Sequence, residues 1–321
     1  MRLFPDDARI GLGGAPLAGL FTPVADEEAT ATVQAAWDEG WRYFDTAPHY
    51  GLGLAEQRLG AGLAGKPRSE YMLSSKVGRI IYEADTDAAD DEGFAVVSKR
   101  RRRWDFSRDG VLQSIEDSLR RIGTDRLDVV FVHDPDDHFD EAVATAFPTL
   151  IELRDQGVIG AIGSGMNQTA MLTRFVREVD LDVIMLAGRY TLLDPDGLDD
   201  VLPACTDNDV QVVAVGIFNS GLLSQPRPAA DATFNYAPAP AALIDKADKL
   251  ADVCESHGVT LPAVALDFPL HHPAVAGIVV GCRTAAEVHT NAALARTKIP
   301  DGIWSDLKSA GLLREDAPTP T

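Results

Sequence analysis

The sequence predicts a single α/β domain, a (β/α)8 TIM barrel spanning residues 1–321. Three observations carry this expectation. Eight short apolar, β-branched runs alternate with longer amphipathic stretches, the pattern of strands joined by crossover helices. After the first run, Gly11-Leu12-Gly13-Gly14 is followed by Ala15-Pro16, so the Gly-x-Gly-x-x-Gly turn of a doubly wound dinucleotide-binding sheet is left incomplete. Two long connections, 77–106 and 216–240, both follow strands, on the face where barrels carry their active sites.

In chain order, strand 9–13 leads to helix 27–40, strand 41–45 to helix 54–64, and strand 71–75 into the first long connection. That connection holds the basic run Lys99-Arg100-Arg101-Arg102-Arg103, read either as a solvated loop or as a face turned to substrate or cofactor. Helix 108–122 follows, with Val111, Leu112, Ile115 and Leu119 on one face and Ser107 as its cap. Strand 128–133, helix 139–156, strand 159–163, helix 168–178, strand 183–186, helix 197–208 and strand 210–215 continue the alternation. The second long connection contains Pro226, Pro228, Pro238 and Pro240; helix 241–257, strand 276–280 and helix 284–295 complete the pattern. The tail, Ala317–Thr321, is expected to fray.

A chain of 321 residues with 45% hydrophobic content can bury a large core. Its formal charge of −20 argues against nucleic acid and anionic membrane surfaces as partners and leaves a small-molecule substrate open. The three cysteines, Cys205, Cys254 and Cys282, are widely spaced, which fits a reduced, cytoplasmic setting. Met1–Asp7 lacks the apolar core of a signal peptide, and no apolar run reaches membrane-spanning length. Oligomeric state is left open.

Polar groups collect at strand ends. Asp45 ends the second strand, Lys76 follows the third, His133 ends the fourth, and Tyr50 lies in the loop after Asp45. Singly, each has an ordinary reading: a turn aspartate, a solvated lysine, a packing tyrosine, a loop histidine paired with Asp134. Together, successive strands bring them to one rim. A free tyrosine titrates near ~10. A lysine cation beside it favours the phenolate, an aspartate anchors the lysine, and a histidine can donate to a substrate oxygen. Such a set transfers protons for an alcohol/carbonyl pair, and its lack of a hydride source implies a redox cofactor.

With these residues the chain resembles the aldo-keto reductases over nearly its whole length. The supporting stretches are Gly51-Leu52-Gly53-Leu54-Ala55-Glu56, Ser114 to Gly123, and Gly157-Val158-Ile159-Gly160-Ala161-Ile162-Gly163. The resemblance implies a catalytic tetrad of Asp45, Tyr50, Lys76 and His133 serving a nicotinamide cofactor. Departures occur at the cofactor contacts. Gly165 and Met166 stand where many relatives have Ser-Asn, leaving Asn167 as a substitute; Ala187 replaces a glutamine; and Val215 replaces a stacking tyrosine, with Phe218 and Ser220 in the next loop. These departures are similar to the branch of aldose 1-dehydrogenases acting on L-fucose, D-arabinose or L-galactose, which also includes pyridoxal 4-dehydrogenase. The branch implies oxidation of a cyclic hemiacetal to a lactone. Gly281 and Glu287 occupy positions that hold Lys and Arg in NADP-preferring relatives. NAD is therefore expected over NADP, with Arg283 as a complication and Asn291 as an adenine contact. His49 either lines the pocket or points to solvent; Trp104, Phe106, Tyr190 and Phe218 are expected pocket walls. The rival readings are pyridoxal oxidation, a general aldehyde or ketone reductase, a redox-sensing binding protein of low turnover, and a metal-dependent barrel hydrolase using Asp45, His49, His133, Asp134 and Asp136.

Overall fold

The computed structural model describes residues 3–4, 9–235 and 237–320. Eight parallel strands close into a barrel. They are β1 (Ile10–Gly13), β2 (Tyr43–Asp45), β3 (Met72–Val77), β4 (Val129–His133), β5 (Ala161–Met166), β6 (Val183–Ala187), β7 (Gln211–Val215) and β8 (Val275–Gly281). β8 closes on β1 from Ile10↔Ile278 to Gly13↔Gly281. Every expected strand is present, with small shifts at its ends.

The surrounding helices are α1 (Asp26–Asp38), α2 (Leu54–Leu63), α3 (Arg108–Ile122), α4 (Phe147–Asp155), α5 (Thr169–Glu178), α6 (Val201–Asp207), α7 (Ala241–Ser256), α8 (Leu261–Asp267), α9 (Ala285–Ala295) and α10 (Gly302–Ser309). Ser107 caps α3 by accepting from the Gly110 N–H at 3.1 Å, and Gly123, at φ 77°, ends it. The expected helix 139–156 is interrupted by a π turn, Ala142–Ala146, just before Pro148, whose missing N–H a regular helix would need. The sequence reading missed α8 and α10. Leu261 to Leu266 are all buried, so α8 shows no polar face to mark its period.

The connection 77–106 is not an irregular loop. Arg79–Ala89 and Val97–Trp104 form an antiparallel hairpin. Both strands are largely exposed and rich in charge, so no apolar alternation announces them. The basic run therefore lies on a strand, not in a solvated loop: Arg102 is paired with Asp90, and Arg101 donates to the carbonyls of Ser98, Arg100 and Thr86. In 216–240 a short pairing joins Thr233–Phe234 to Ala237–Pro238. The tail is also anchored rather than frayed. Ala317 is buried, and its carbonyl accepts from the Lys308 ammonium at 2.9 Å; Thr321 lies outside the described residues.

Strand alternation explains where the polar groups end up. Inside the barrel, Tyr43, Val129, Phe131, Val183, Met185 and Val213 form an apolar cluster with Leu3 and Phe4. Phe4 stacks on Tyr43 with centroids 4.6 Å apart. Of the expected signal-free stretch Met1–Asp7, Leu3 and Phe4 are described and the others lie outside the described residues. Two residues beyond Tyr43 is Asp45, and two beyond Phe131 is His133. The parity that fills the lower barrel with apolar side chains thus delivers a carboxylate and an imidazole at its upper end.

Candidate active site

Asp45 pairs in register with Ser74, Lys76 with Phe131, and His133 with Gly165. The Lys76 ammonium donates to Asp45 Oδ2 at 2.7 Å and to the Thr46 carbonyl at 3.0 Å. The Ser74 hydroxyl donates to Asp45 Oδ1 at 2.7 Å. Both ionic partners are almost fully buried, at 2% and 4% side-chain exposure, so the pair has little solvent screening. Gly165 stands beside the lysine: a Cβ there would lie 4.0 Å from Lys76 Cε, an ordinary contact. Tyr50 enters from the turn after β2. The ammonium lies 4.6 Å from the centre of its ring, close enough for the two groups to act on each other's ionisation. His133 meets that ring edge-on, centroids 5.7 Å apart. The structure therefore brings Asp45, Tyr50, Lys76 and His133 together.

The electrostatics differ from the sequence expectation in one respect. Burial pushes the Tyr50 phenol up to about 12, and the opposing pull of Lys76 only partly offsets it. Lysine contact was expected to bring the phenol down; loss of hydration is the larger effect. Burial also disfavours the Lys76 ammonium, but Asp45 and Tyr50 outweigh it and hold Lys76 above the ordinary lysine value. Burial raises Asp45 against the pull of Lys76. His133 is held well below the usual histidine range by burial, then by Arg79, Lys76 and His49, so it is a neutral imidazole at neutral pH. The resulting site has a protonated phenol on a fixed ammonium beside a neutral imidazole.

Around the rim at β7 and β8 lie the residues expected to meet a dinucleotide. Phe218 is half-buried and packs on the core, while Ser220 is exposed. Between them Asn219, which the sequence reading passed over, is 4% exposed at φ 47°, and its Oδ1 has no hydrogen-bond partner. Asparagine tolerates a positive φ, and neither this turn nor the burial of its side chain is visible in sequence. Asn167 is half-buried at the end of β5, and Met166 beside it points into the outer core. Gly281 ends β8 and packs so closely on Pro16 that a Cβ would lie 2.8 Å from its Cγ. Thr284 caps α9, accepting from the Glu287 N–H at 3.1 Å, and the Glu287 carboxylate accepts from the Arg283 N–H at 2.8 Å. The arrangement resembles a capping box, except that the carboxylate reaches one residue beyond the N-cap. The same carboxylate lies 3.6 Å from Arg283 Nε. Asn291 is half-buried and donates to Cys282 Sγ at 3.4 Å.

Residues 9–311 match the aldo/keto reductase family. The chain belongs to the aldo/keto reductases. This aldo/keto reductase is 46% identical to D-threo-aldose 1-dehydrogenase of a Pseudomonas species, over 97% of this chain and 95% of the relative. It is 38% identical to pyridoxal 4-dehydrogenase of Microbacterium luteolum, over 95% and 94% of the two chains. It is 30% identical to L-galactose dehydrogenase of Arabidopsis thaliana, over 88% and 83%. A glycerol dehydrogenase structure from Gluconobacter oxydans shares the fold, with a TM-score of 0.73 at 24% identity and coverage of 98% and 93%. The protein is accordingly an oxidoreductase acting on CH–OH donors, in a family that uses nicotinamide cofactors. No helix among the described residues is long and apolar enough to cross a membrane. Among the described residues no group of three or more His, Cys, Asp or Glu side chains is placed to hold a metal ion.

The hairpin gives this aldo/keto reductase a cover over Tyr50. Phe94, in its turn, lies 6.0 Å from the Tyr50 ring and 5.5 Å from that of His49. Arg79, at its base, bonds Asp134 through both terminal nitrogens at 3.1 Å and lies 4.0 Å over the Trp104 ring. The sequence reading missed Phe94 and Arg79, because their place depends on how the hairpin folds back. His49 lies inside the site, 5.5 Å from His133, with its Nδ1 buried and unpartnered; burial, Arg79, Arg102 and Lys76 push it down to about 2. Of the expected aromatic walls, Trp104 is 42% exposed and stacks on Phe106, which is itself buried at 2%. Tyr190 is packed on Phe268 and His272 in the outer core, apart from the tetrad. The helix layer claims this ring, so it cannot serve as a pocket wall.

Proposed function

We propose that this protein is an NAD-dependent aldose 1-dehydrogenase that oxidises a cyclic sugar hemiacetal, of the L-fucose, D-arabinose or L-galactose type, at C1 to its lactone. The observation that carries this reading is the buried Asp45–Lys76 ion pair with its ammonium 4.6 Å from the Tyr50 ring, and neutral His133 at the edge of that ring. The 46% identity to D-threo-aldose 1-dehydrogenase along almost the whole chain supports the substrate class. So do the charged and polar groups of Arg79, Asp134 and His49 near the phenol. The aromatic rings of Phe94 and His49 would also suit a pyridine ring, so pyridoxal is the second reading.

The C1 hydroxyl sits between the Tyr50 phenol and His133. His133, neutral, donates a hydrogen bond to the hydroxyl oxygen and retains it as negative charge develops. Tyr50 takes the hydroxyl proton, and Lys76 stabilises the phenolate from which it acts. Asp45 and Ser74 hold the ammonium in place. A bound nicotinamide would accept the hydride leaving C1. The buried, unpartnered Asn219 Oδ1 fits the donor of a carboxamide, so the residues present suit that cofactor. Asn219, Asn167, Phe218 and Ser220 would hold its nicotinamide end; Gly281, Arg283, Glu287 and Asn291 would hold its adenosine end. A substrate panel of L-fucose, D-arabinose, L-galactose and pyridoxal, followed by NADH absorbance, tests the assignment. Turnover of an aldose above pyridoxal is expected; pyridoxal alone would select the second reading.

The engagement of Arg283 by Glu287 supports NAD. The carboxylate occupies the cation that a 2′-phosphate would need and would repel the phosphate itself. Glu287→Gln is expected to tighten NADP relative to NAD by about tenfold, measured as the ratio of Kd values. An unchanged ratio would contradict the charge argument. Sugar oxidation should also accelerate with pH, because its base is the phenolate of a group held near 12. With His133 neutral throughout, kcat/KM should rise by up to about tenfold per pH unit between about pH 6 and 9. It should show no inflection in the histidine range; an inflection there would move the proton transfer off Tyr50.

A further inference from the structure

We infer that Asp134, held by Arg79, is the residue that recognises the hydroxyl next to the reacting carbon, making the enzyme selective for 2-hydroxy aldoses over their 2-deoxy counterparts. The inference rests on the aldose 1-dehydrogenase reading and names the part of the substrate that the site reads.

The geometry is local. Asp134 immediately follows His133 and adopts φ 44°, a left-handed conformation that aspartate tolerates better than most residues. Its N–H donates to the Gly165 carbonyl at 3.0 Å, which fixes the turn. That turn brings Asp134 Oδ2 to 3.6 Å from His133 Nε2, too long for a direct hydrogen bond. Two gauche vicinal oxygens lie about one hydrogen-bond length apart. A diol can therefore place its C1 oxygen on His133 and its C2 hydroxyl on Asp134 together. The C2 hydroxyl can donate to the carboxylate, whereas a ring oxygen has no proton to donate.

Charge and exposure agree with this role. The Asp134 side chain is 38% exposed, so one side remains open to a ligand, while the Arg79 side chain behind it is 10% exposed. Both terminal nitrogens of Arg79 converge on the same carboxylate oxygen, leaving Oδ1 without a hydrogen-bond partner among the described residues. Trp104 covers the guanidinium face, so the arginine is fixed from two directions. Arg79 is thus a positioning residue, acting through Asp134. The contacts that hold Lys76 under Tyr50 lie elsewhere, on Asp45 and the Thr46 carbonyl, and the Asp134 charge is the smallest of the named influences on the phenol.

The test compares kcat/KM for L-fucose and 2-deoxy-L-fucose, and for D-arabinose and 2-deoxy-D-ribose, in the wild type, Asp134→Ala and Asp134→Asn. A site built to hydrogen-bond a substrate hydroxyl rejects the analogue that lacks it, so the wild type should prefer each 2-hydroxy sugar by about a hundredfold. In Asp134→Ala the preference should fall to within about threefold, mainly by loss on the 2-hydroxy sugar, with the 2-deoxy rate nearly retained. That asymmetry would not arise from general damage to the site. If the alanine variant does not fold, Asp134→Asn, which keeps the shape and removes the charge, should still cut the preference by about tenfold. An unchanged preference, or an equal fall on both sugars, in the folded variant overturns the inference while leaving the aldose reading intact. A wild type that turns over pyridoxal and no aldose overturns both.

Discussion

Replacing Tyr50 with phenylalanine is expected to lower kcat for sugar oxidation by about 10³-fold or more while leaving NAD affinity within about twofold. The substitution keeps the ring and removes one oxygen. The ring contacts with His133, Phe94 and His49 should survive, because they are made by carbon edges and faces. What is lost is the acceptor for the hydroxyl proton and the phenolic group whose ionisation Lys76 favours. His133 cannot substitute as the base: burial and its cationic neighbours favour its neutral form, but its protonated form would lie beside the Lys76 and Arg79 cations. Rapid mixing separates turnover from binding, and cofactor fluorescence gives the Kd. A variant that keeps more than about a tenth of wild-type kcat would remove Tyr50 from its assigned role.

The second large effect concerns the charge beneath the phenol. Asp45→Ala should destabilise the protein by about 3–5 kcal/mol, because it leaves a buried ammonium without its counter-ion. Ser74 would lose its acceptor as well. Activity should fall with stability, since the freed ammonium can leave its position under Tyr50. The double variant Asp45→Asn/Lys76→Met separates the two roles. It removes both charges from the interior and should recover most of the stability, because a neutral pair has no uncompensated charge. Its kcat should nevertheless remain low, because nothing then favours the phenolate. Denaturant midpoints and kcat measured on the same preparations make the comparison. Recovery of activity together with stability would mean that the ion pair serves the fold alone.

Much of this architecture is legible in the sequence, and the reason is physical. Barrel strands are buried on both faces, so they appear as short apolar runs whatever the long-range pairing. Lys76 and His133 could be placed at one rim because a strand end has a fixed position in a barrel. The hairpin 79–104 was opaque for the opposite reason: its strands are held by pairing with each other, while their side chains face solvent and alternate in no apolar pattern. Phe94, Arg79 and the turn of Asp134 become neighbours of the tetrad only after that hairpin folds back. Tyr190 shows the converse error. An aromatic just beyond a strand end looks like a pocket wall, but its direction is set by packing against Phe268, 5.0 Å away and far along the chain. The ionisation of Tyr50 was equally beyond sequence. The sign of the lysine effect could be argued from residue types, but its size against burial depends on depth.

Lys76 is electrostatically coupled to a buried, protonated Tyr50. The most direct measurement is a carbon-13 NMR titration of ring-labelled tyrosine, with Tyr50→Phe used to assign the resonance, in the wild type and in Lys76→Met. Tyr50 should ionise well above free tyrosine, near 12, in the wild type, and move further up when the ammonium is removed. A Tyr50 that ionises like free tyrosine, or whose ionisation ignores the loss of Lys76, would contradict it.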